Sequence, residues 1–299
     1  ALNMTSILGD IRDLSVVKKI FSEVQPDIVI HMAAQALVRY AYQNPVETYQ
    51  TNVMGSMHIL EAIRTCENVR AVVMVTTDKC YDNKEWIWPY RETEAMGGHD
   101  PYSSSKGCAE LLIASYRKSY FFENHQPSIA TARAGNVIGG GDWAEDRLIP
   151  DIIKSLCNGK MVKIRNPKAV RPWQHVLEPL SGYLLLAERL FTDGDEFAEA
   201  WNFGPKVENA QPVYWIVEYM VKQWKDATWS VETVQQLHEA QILKLDSTKA
   251  YERLNWKARW TLEETLMHVT EWYLAEQAKM DMREVCFEQI EMFNRVECN

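Results

Sequence analysis

Short continuous apolar runs alternate with longer amphipathic stretches through the first 140 residues. Asp27-Ile-Val-Ile-His-Met32, Ala71-Val-Val-Met-Val-Thr76 and Ser128-Ile-Ala-Thr-Ala-Arg133 are apolar runs of strand length. Runs without polar alternation fit parallel strands covered on both faces. Between the first two, Asn44-Pro45-Val46-Glu47 reads as a cap, a proline at the first helical position and a capping-box glutamate. Val46, Tyr49, Val53, Leu60 and Ile63 then form a stripe, which predicts a helix over 45–65. A second helix is predicted over 102–120, with Ala109, Leu112, Tyr116 and Tyr120 on one face. Strand, helix, strand, helix is the pattern of a doubly wound α/β domain.

Past residue 140 the alternation weakens. Gly139-Gly140-Gly141 is followed by short helical and extended pieces and by loops rich in Trp and Pro, and the tail from Thr261 is helical and charged. The expected organisation is a doubly wound α/β domain over 1–140 and a smaller α/β domain over 141–299, interleaved with the first. A dinucleotide fold needs a glycine-rich turn after its first strand. Gly9 is the only glycine before Gly55, so either the fold is not dinucleotide-binding or its first βαβ unit is expected upstream of Ala1. In the strand order 3-2-1-4-5-6 that missing strand is central, and a strand at residues 5–9 would be left without neighbours.

Composition narrows the partners. Lys and Arg number 32 against 41 Asp and Glu, a net charge of −9, which argues against a nucleic-acid coat. No apolar run approaches the roughly 18–20 residues that span a bilayer, and no signal peptide is expected. The six cysteines are irregularly spaced with no CxxC, and the seven histidines form no HExxH, so no metal site is expected. Reduced thiols in a cytoplasmic protein are the plain reading.

Candidate chemistry gathers at predicted strand ends. Thr77-Asp78-Lys79 places a hydroxyl, a carboxylate and an amine at one strand exit, where open α/β sheets bind ligands. Ala33 and Ala34 follow another strand and are small enough for a ligand to approach the backbone. Tyr102 and Lys106 share one helix face. An ammonium beside a phenol favours the phenolate, as a general base requires.

Taken in order, His31-x-Ala33-Ala34-Gln35, Asn52-x-x-Gly55, Thr77-Asp78-Lys79, Tyr102-x-x-x-Lys106 and Arg133-Ala-Gly-Asn136-Val-Ile-Gly139 resemble the extended short-chain dehydrogenase/reductase superfamily, with its Rossmann-type sheet, and within it the nucleotide-sugar 4,6-dehydratases. Asp78-Lys-Cys-Tyr-Asp-Asn83, Ala134-Gly-Asn-Val-Ile-Gly-Gly-Gly-Asp-Trp143 and Arg171-Pro-Trp-Gln-His-Val176 are similar to members acting on CDP-glucose. The resemblance runs from Gly9 to about Trp272 and lacks the N-terminal glycine motif.

The resemblance implies NAD as a resident cofactor and a lyase reaction in deoxysugar (O-antigen, lipopolysaccharide) biosynthesis. Tyr102 would take the proton of the sugar 4-hydroxyl, Lys106 would hold the ribose and tune Tyr102, and Thr77 would hydrogen-bond the same hydroxyl. Asp78 would protonate the departing 6-hydroxyl. Lys79 stands where related dehydratases carry glutamate. It is either the C5 base, which requires the neutral amine, or a charged stabiliser of the enolate.

Asp10 and Ile11 match adenine contacts, and Ala33, Ala34, Gln35 and Asn52 match the cofactor wall. Asn136 and Arg171 match contacts to the substrate diphosphate, and Arg165 and Asn202 lie on the nucleotide side. Trp143 and Trp173 either flank the sugar or base or are plain packing. The helices over 45–65 and 102–121 match a two-fold four-helix bundle, so a homodimer or a dimer of dimers is expected. Two alternatives stand beside this reading. A 4-epimerase of the same superfamily would share Tyr102 and Lys106 but needs no acid at C6, and Asp78 argues against it. A truncated, non-catalytic chain is the other.

Overall fold

The computed structural model describes residues 4–122, 127–232 and 240–295. Its contacts divide into two units: Ala1–Asp82, Ala95–Ala132 and Leu185–Ala200 form the first, and Asn83–Glu94, Arg133–Leu184 and Trp201–Asn299 the second.

In the first unit, α1 (Leu14–Val24) starts where the Asp13 side chain accepts from the amides of Ser15 and Val16, and it ends at Gln25 in the left-handed region. Next come β1 (Ile28–His31), α2 (Val38–Gln43) and α3 (Pro45–Tyr49), a π-helical turn at Gln50–Met54, α4 (Gly55–Ile63), β2 (Ala71–Val75), α5 (Pro101–Tyr120) and β3 (Ser128–Ala134). The ladders are parallel, with Ile28 opposite Ala71 in β1–β2 and Ala71 opposite Ser128 in β2–β3. The Thr131 amide donates to the Glu199 carbonyl at 3.1 Å, which brings the returning chain alongside β3. Val17, Phe21, Leu60, Ile63, Met74 and Ile113 lie in the core between helices and sheet.

Four expectations change. Residues 4–10 form no strand and are exposed, because no described segment forms a ladder with them. The predicted helix over 45–65 is continuous but changes winding at Gln50–Met54. Its capping box does not form: Asn44 makes no side-chain cap, and the Glu47 carboxylate instead accepts from Tyr40 Oη at 2.6 Å and Arg12 Nη1 at 3.3 Å. The 45–65 stripe also divides. Leu60 and Ile63 are buried against the sheet, whereas Val46 is 69% exposed.

The second unit holds β4 (Val137–Ile138), α6 (Leu148–Cys157), β5 (Val162–Ile164), β6 (Val170–Pro172) and β7 (Gln174–His175), and the start of α7 (Leu177–Asp193). It continues with β8 (Ala200–Phe203), β9 (Ala210–Pro212), α8 (Val213–Val221), β10 (Trp229–Val231), α9 (Thr248–Leu254), α10 (Leu262–Gln277) and α11 (Met282–Arg295). β4 pairs β7 and β5 pairs β10 in parallel, whereas β6 and β9 are antiparallel. Thr261 and Glu264 close a capping box at the head of α10. Trp272 of α10 lies on the glycine loop so closely that a Cβ at Gly140 would sit 2.0 Å from its ring. Among the described residues no helix is long and apolar enough to cross a membrane.

Candidate active site

The turn leaving β1 is built around Asn52, a buried side chain on the π-helical turn. Its Oδ1 accepts from the Gln35 amide at 2.8 Å, and its Nδ2 donates to the Gln35 carbonyl and to Ser105 Oγ, each at 2.9 Å. Gln35 Nε2 donates to Thr48 Oγ1 and its Oε1 accepts from the Leu37 amide. Both ends of the Gln35 side chain therefore shape the loop. Ala33 is exposed and Ala34 half-buried at the strand exit, so the small residues form an open wall.

Asp10 and Ile11 precede α1. The Arg12 guanidinium grips Asp10 through contacts of 2.6–3.0 Å and holds its carboxyl down at about 2. Ile11 packs so tightly on Gly55 that a Cβ there would lie 2.6 Å from Ile11 Cδ1. This is the physical need for glycine in Asn52-x-x-Gly55.

At the exit of β2, Thr77 Oγ1 donates to Asp78 Oδ1 at 3.1 Å and accepts from the Lys79 amide at 3.3 Å. Asp78 is 1% exposed. Lys79 is half-buried, and its amine makes no hydrogen bond or ion pair among the described residues. The segment is drawn onto the start of α5. The Gly97 amide donates to the Cys80 carbonyl at 2.8 Å, and a Cβ at Gly107 would lie 2.4 Å from the Gly97 carbonyl oxygen. Asp100 caps α5 through the Ser103 amide, with Pro101 at its first position.

Tyr102 and Lys106 are both buried on that helix. Lys106 Nζ donates to the Val75 carbonyl at 3.3 Å, its one hydrogen bond within the described residues. Burial lowers the amine to about 8, opposed by the Glu110 carboxylate and the Cys80 thiol. Burial, with Lys106 adding to it, lowers the His31 imidazole to about 4, so His31 is neutral near pH 7.

An ammonium has three donors. With one acceptor supplied by the protein, Lys106 retains the capacity to bind a ribose diol. That capacity and the open Ala33–Ala34 wall fit a dinucleotide.

In the second unit the Asn136 carbonyl accepts from the Gln174 amide at 3.1 Å, and its side-chain Oδ1 is buried with no partner among the described residues. Arg165 is ion-paired with Asp146 and lies 3.9 Å from Asp151. Arg171 is buried and donates to the carbonyls of Val170, Ala240 and Gln241, tying two chain segments together. Asn202 is fully buried, and its Nδ2 donates to the carbonyls of Tyr90 and Asp246. Trp173 is core, with Nε1 on the Gln211 carbonyl, while Trp143 is 43% exposed and edge-on to Tyr273.

Three contributors were not among the expected site residues. Ser105 and Glu110 lie three and eight residues after Tyr102, on the same buried side of α5, a periodicity that could have flagged them. His31 stands inside a motif already quoted but without a role.

A parallel sheet wound with helices, with a buried Tyr-x-x-x-Lys pair beside a strand exit, defines a Rossmann-type short-chain dehydrogenase/reductase fold. The chain belongs to the GDP-mannose 4,6 dehydratase family, whose model matches residues 1–269. It is 54% identical over 277 residues to a CDP-glucose 4,6-dehydratase of Salmonella typhimurium strain LT2, covering 91% of this chain and 77% of that one. A dTDP-glucose 4,6-dehydratase of the same strain is 26% identical over 292 residues, covering 89% and 78%. Two solved structures share the fold. A UDP-glucose 4-epimerase with UDP-glucose from Thermotoga maritima has a TM-score of 0.78 at 24% identity, covering 90% of this chain and 84% of that one. A dTDP-glucose 4,6-dehydratase in complex with NAD from Bacillus anthracis has a TM-score of 0.75 at 20% identity, covering 92% and 81%.

Proposed function

We propose that the protein is an NAD-dependent hydro-lyase that converts CDP-glucose to CDP-4-keto-6-deoxyglucose. The observation that carries this reading is the buried Tyr102–Lys106 pair beside the Thr77–Asp78 exit of β2, in a chain 54% identical to a CDP-glucose 4,6-dehydratase.

Bound NAD⁺ supplies the hydride acceptor at C4 and, once reduced, the hydride donor at C6. Ala33, Ala34, Asn52, Tyr102 and Lys106 would hold its nicotinamide side, and Asp10 and Ile11 its adenine side. Gln35 supports the wall from behind. Tyr102 removes the proton of the 4-hydroxyl. The Lys106 ammonium stabilises the phenolate and keeps donors for the ribose. Thr77 hydrogen-bonds the 4-oxygen. With C4 at the ketone level the C5 proton is acidic. Asp78, in its protonated form, delivers a proton to the departing 6-hydroxyl. Lys79 acts at C5: neutral, it takes the C5 proton; charged, it stabilises the enolate while another base takes that proton.

Asn136 and Arg171 contact the substrate diphosphate, with Arg165 and Asn202 on the nucleotide side. The faces of α3 to α5 pair with those of a second copy. The exposed apolar side chains Val46, Met54, Leu111 and Tyr120 support that pairing.

Equal concentrations of CDP-, dTDP- and UDP-glucose in one competition assay test the substrate. Cytosine offers an amine where uracil and thymine offer a carbonyl, so a buried mismatch costs about 1–3 kcal/mol. At least about tenfold preference for CDP-glucose is expected. Equal rates would remove the nucleobase assignment and leave the dehydration standing.

A further inference from the structure

Two neighbouring side chains of α10 hold the glycine loop that leaves β4. Trp272 takes the space where a side chain at Gly140 would stand, and a Cβ at Gly141, which has φ +78, would lie 3.4 Å from the same ring. Tyr273 is buried. Its Oη donates to the Asp142 carbonyl at 2.7 Å, and its ring meets Trp143 edge-on at 5.1 Å. The residues from Gly140 to Trp143 therefore each meet one of two adjacent side chains. These two are themselves fixed. They pack edge-on to each other at 5.3 Å, and Trp272 Nε1 donates to Cys286 Sγ of α11 at 3.3 Å. The rest of the loop is tied to itself and to α6. The Asp142 carboxylate accepts from the Ala144 amide at 3.0 Å and from Arg147 Nη1 at 2.9 Å, and Lys154 Nζ donates to the Trp143 carbonyl at 2.8 Å.

We propose that Trp272 and Tyr273 are positioning residues for the nucleotide sugar: they clamp Gly140–Trp143 and so fix β4 and the Asn136 that precedes it.

This rests on the reading of Asn136 as a contact to the substrate diphosphate. β4 is two residues long and, among the described residues, pairs β7 alone. So short a ladder does little to fix Asn136 by itself. The three consecutive glycines that follow leave the backbone many conformations. Freezing these when the substrate binds costs affinity. Clamped in advance by two rings, the loop meets the substrate in one arrangement. Such a contribution is uniform binding, so it belongs to KM rather than to kcat.

The test is steady-state kinetics with CDP-glucose on the NAD-loaded enzyme, together with calorimetric titration of CDP into it. Trp272→Ala should raise KM and weaken CDP binding by about tenfold or more, with kcat within about threefold of the parent. Gly140→Ala should do the same, since its methyl displaces the ring. Combined with Trp272→Ala it should add less than about twofold, because the ring it displaces is gone. Trp272→Phe keeps a ring and should recover most of the loss. Tyr273→Phe loses only the bond to Asp142 and should raise KM by about 2–10-fold, and it decides the matter where Trp272→Ala does not fold. An unchanged KM in Trp272→Ala or in Tyr273→Phe would overturn the proposal, whatever happens to the melting temperature. So would losses that multiply in the double variant. A parent that binds CDP but dehydrates no CDP-glucose would instead remove the proposed reaction, and the CDP titration would still judge the two rings.

Discussion

Asn52 donates through Nδ2 to Ser105 Oγ at 2.9 Å, and Ser105 passes its own proton to the Tyr102 carbonyl at 2.7 Å. The same amide group holds both backbone groups of Gln35. One side chain thus fixes the turn after β1 and the first turn of the helix bearing the Tyr-x-x-x-Lys pair. Asn52→Ala leaves the Gln35 amide and carbonyl and the Ser105 hydroxyl short of partners. A loss of about 2–4 kcal/mol in urea unfolding is expected, together with weaker NAD binding. Ser105→Ala removes two bonds, one of them to a carbonyl within α5, and should cost about 1–2 kcal/mol. If Asn52→Ala is as mild as Ser105→Ala, the two elements are not joined through Asn52.

Replacing Tyr102 by Phe keeps the packing of a buried ring and removes the hydroxyl. Turnover should fall by about 10²–10⁴-fold while sugar-nucleotide affinity, measured by calorimetry, stays within a few-fold. Parent-like turnover would show that the proton leaves by another route.

Asp78→Asn separates the two halves of the reaction. Proton removal at the 4-hydroxyl uses Tyr102 and Thr77, so reduced nicotinamide should still form when substrate is added. Water loss needs the acid, so the reduced form should accumulate in a single turnover followed by absorbance. A variant that dehydrates as fast as the parent would exclude Asp78 as the acid.

Glu178, at the head of α7, sets a pH dependence of stability. Burial pushes its carboxyl up to about 7, against the amides of Arg259 and Trp260 that donate to it at 2.8–3.0 Å. A carboxyl raised in the folded state favours the fold when protonated. Its contribution is complete below the unfolded value near 4.5 and is lost as pH rises through about 7. That loss is on the order of 3 kcal/mol across the window. Glu178→Gln should flatten the urea midpoint between about pH 5 and 8. An unchanged slope would place the pH dependence elsewhere.

The strands and the reactive helix were legible because their signals are local. Val72, Met74 and Ile129 are core residues, as their apolar runs require, and Ala109, Leu112 and Tyr116 of the α5 stripe pack in the same core. The turn at Gln50–Met54 was not legible, since its winding accompanies the close fit of Ile11 on Gly55, residues 44 apart in sequence. Glu47 has the spacing of a capping glutamate, yet Arg12 and Tyr40 reach it first. Arg171 shows the limit for site residues. Its type and motif fit a phosphate clamp, and its guanidinium also holds the carbonyls of Val170, Ala240 and Gln241. Composition cannot distinguish those partners.

The account turns on one claim, that hydrogen moves within a single sugar from C4 to C6 as water is lost. CDP-glucose carrying deuterium at C4 measures this directly. The product should be lighter by one water, with the deuterium on C6 by NMR and none released to solvent. Deuterium returned to C4 without loss of water, or lost to solvent, would contradict it.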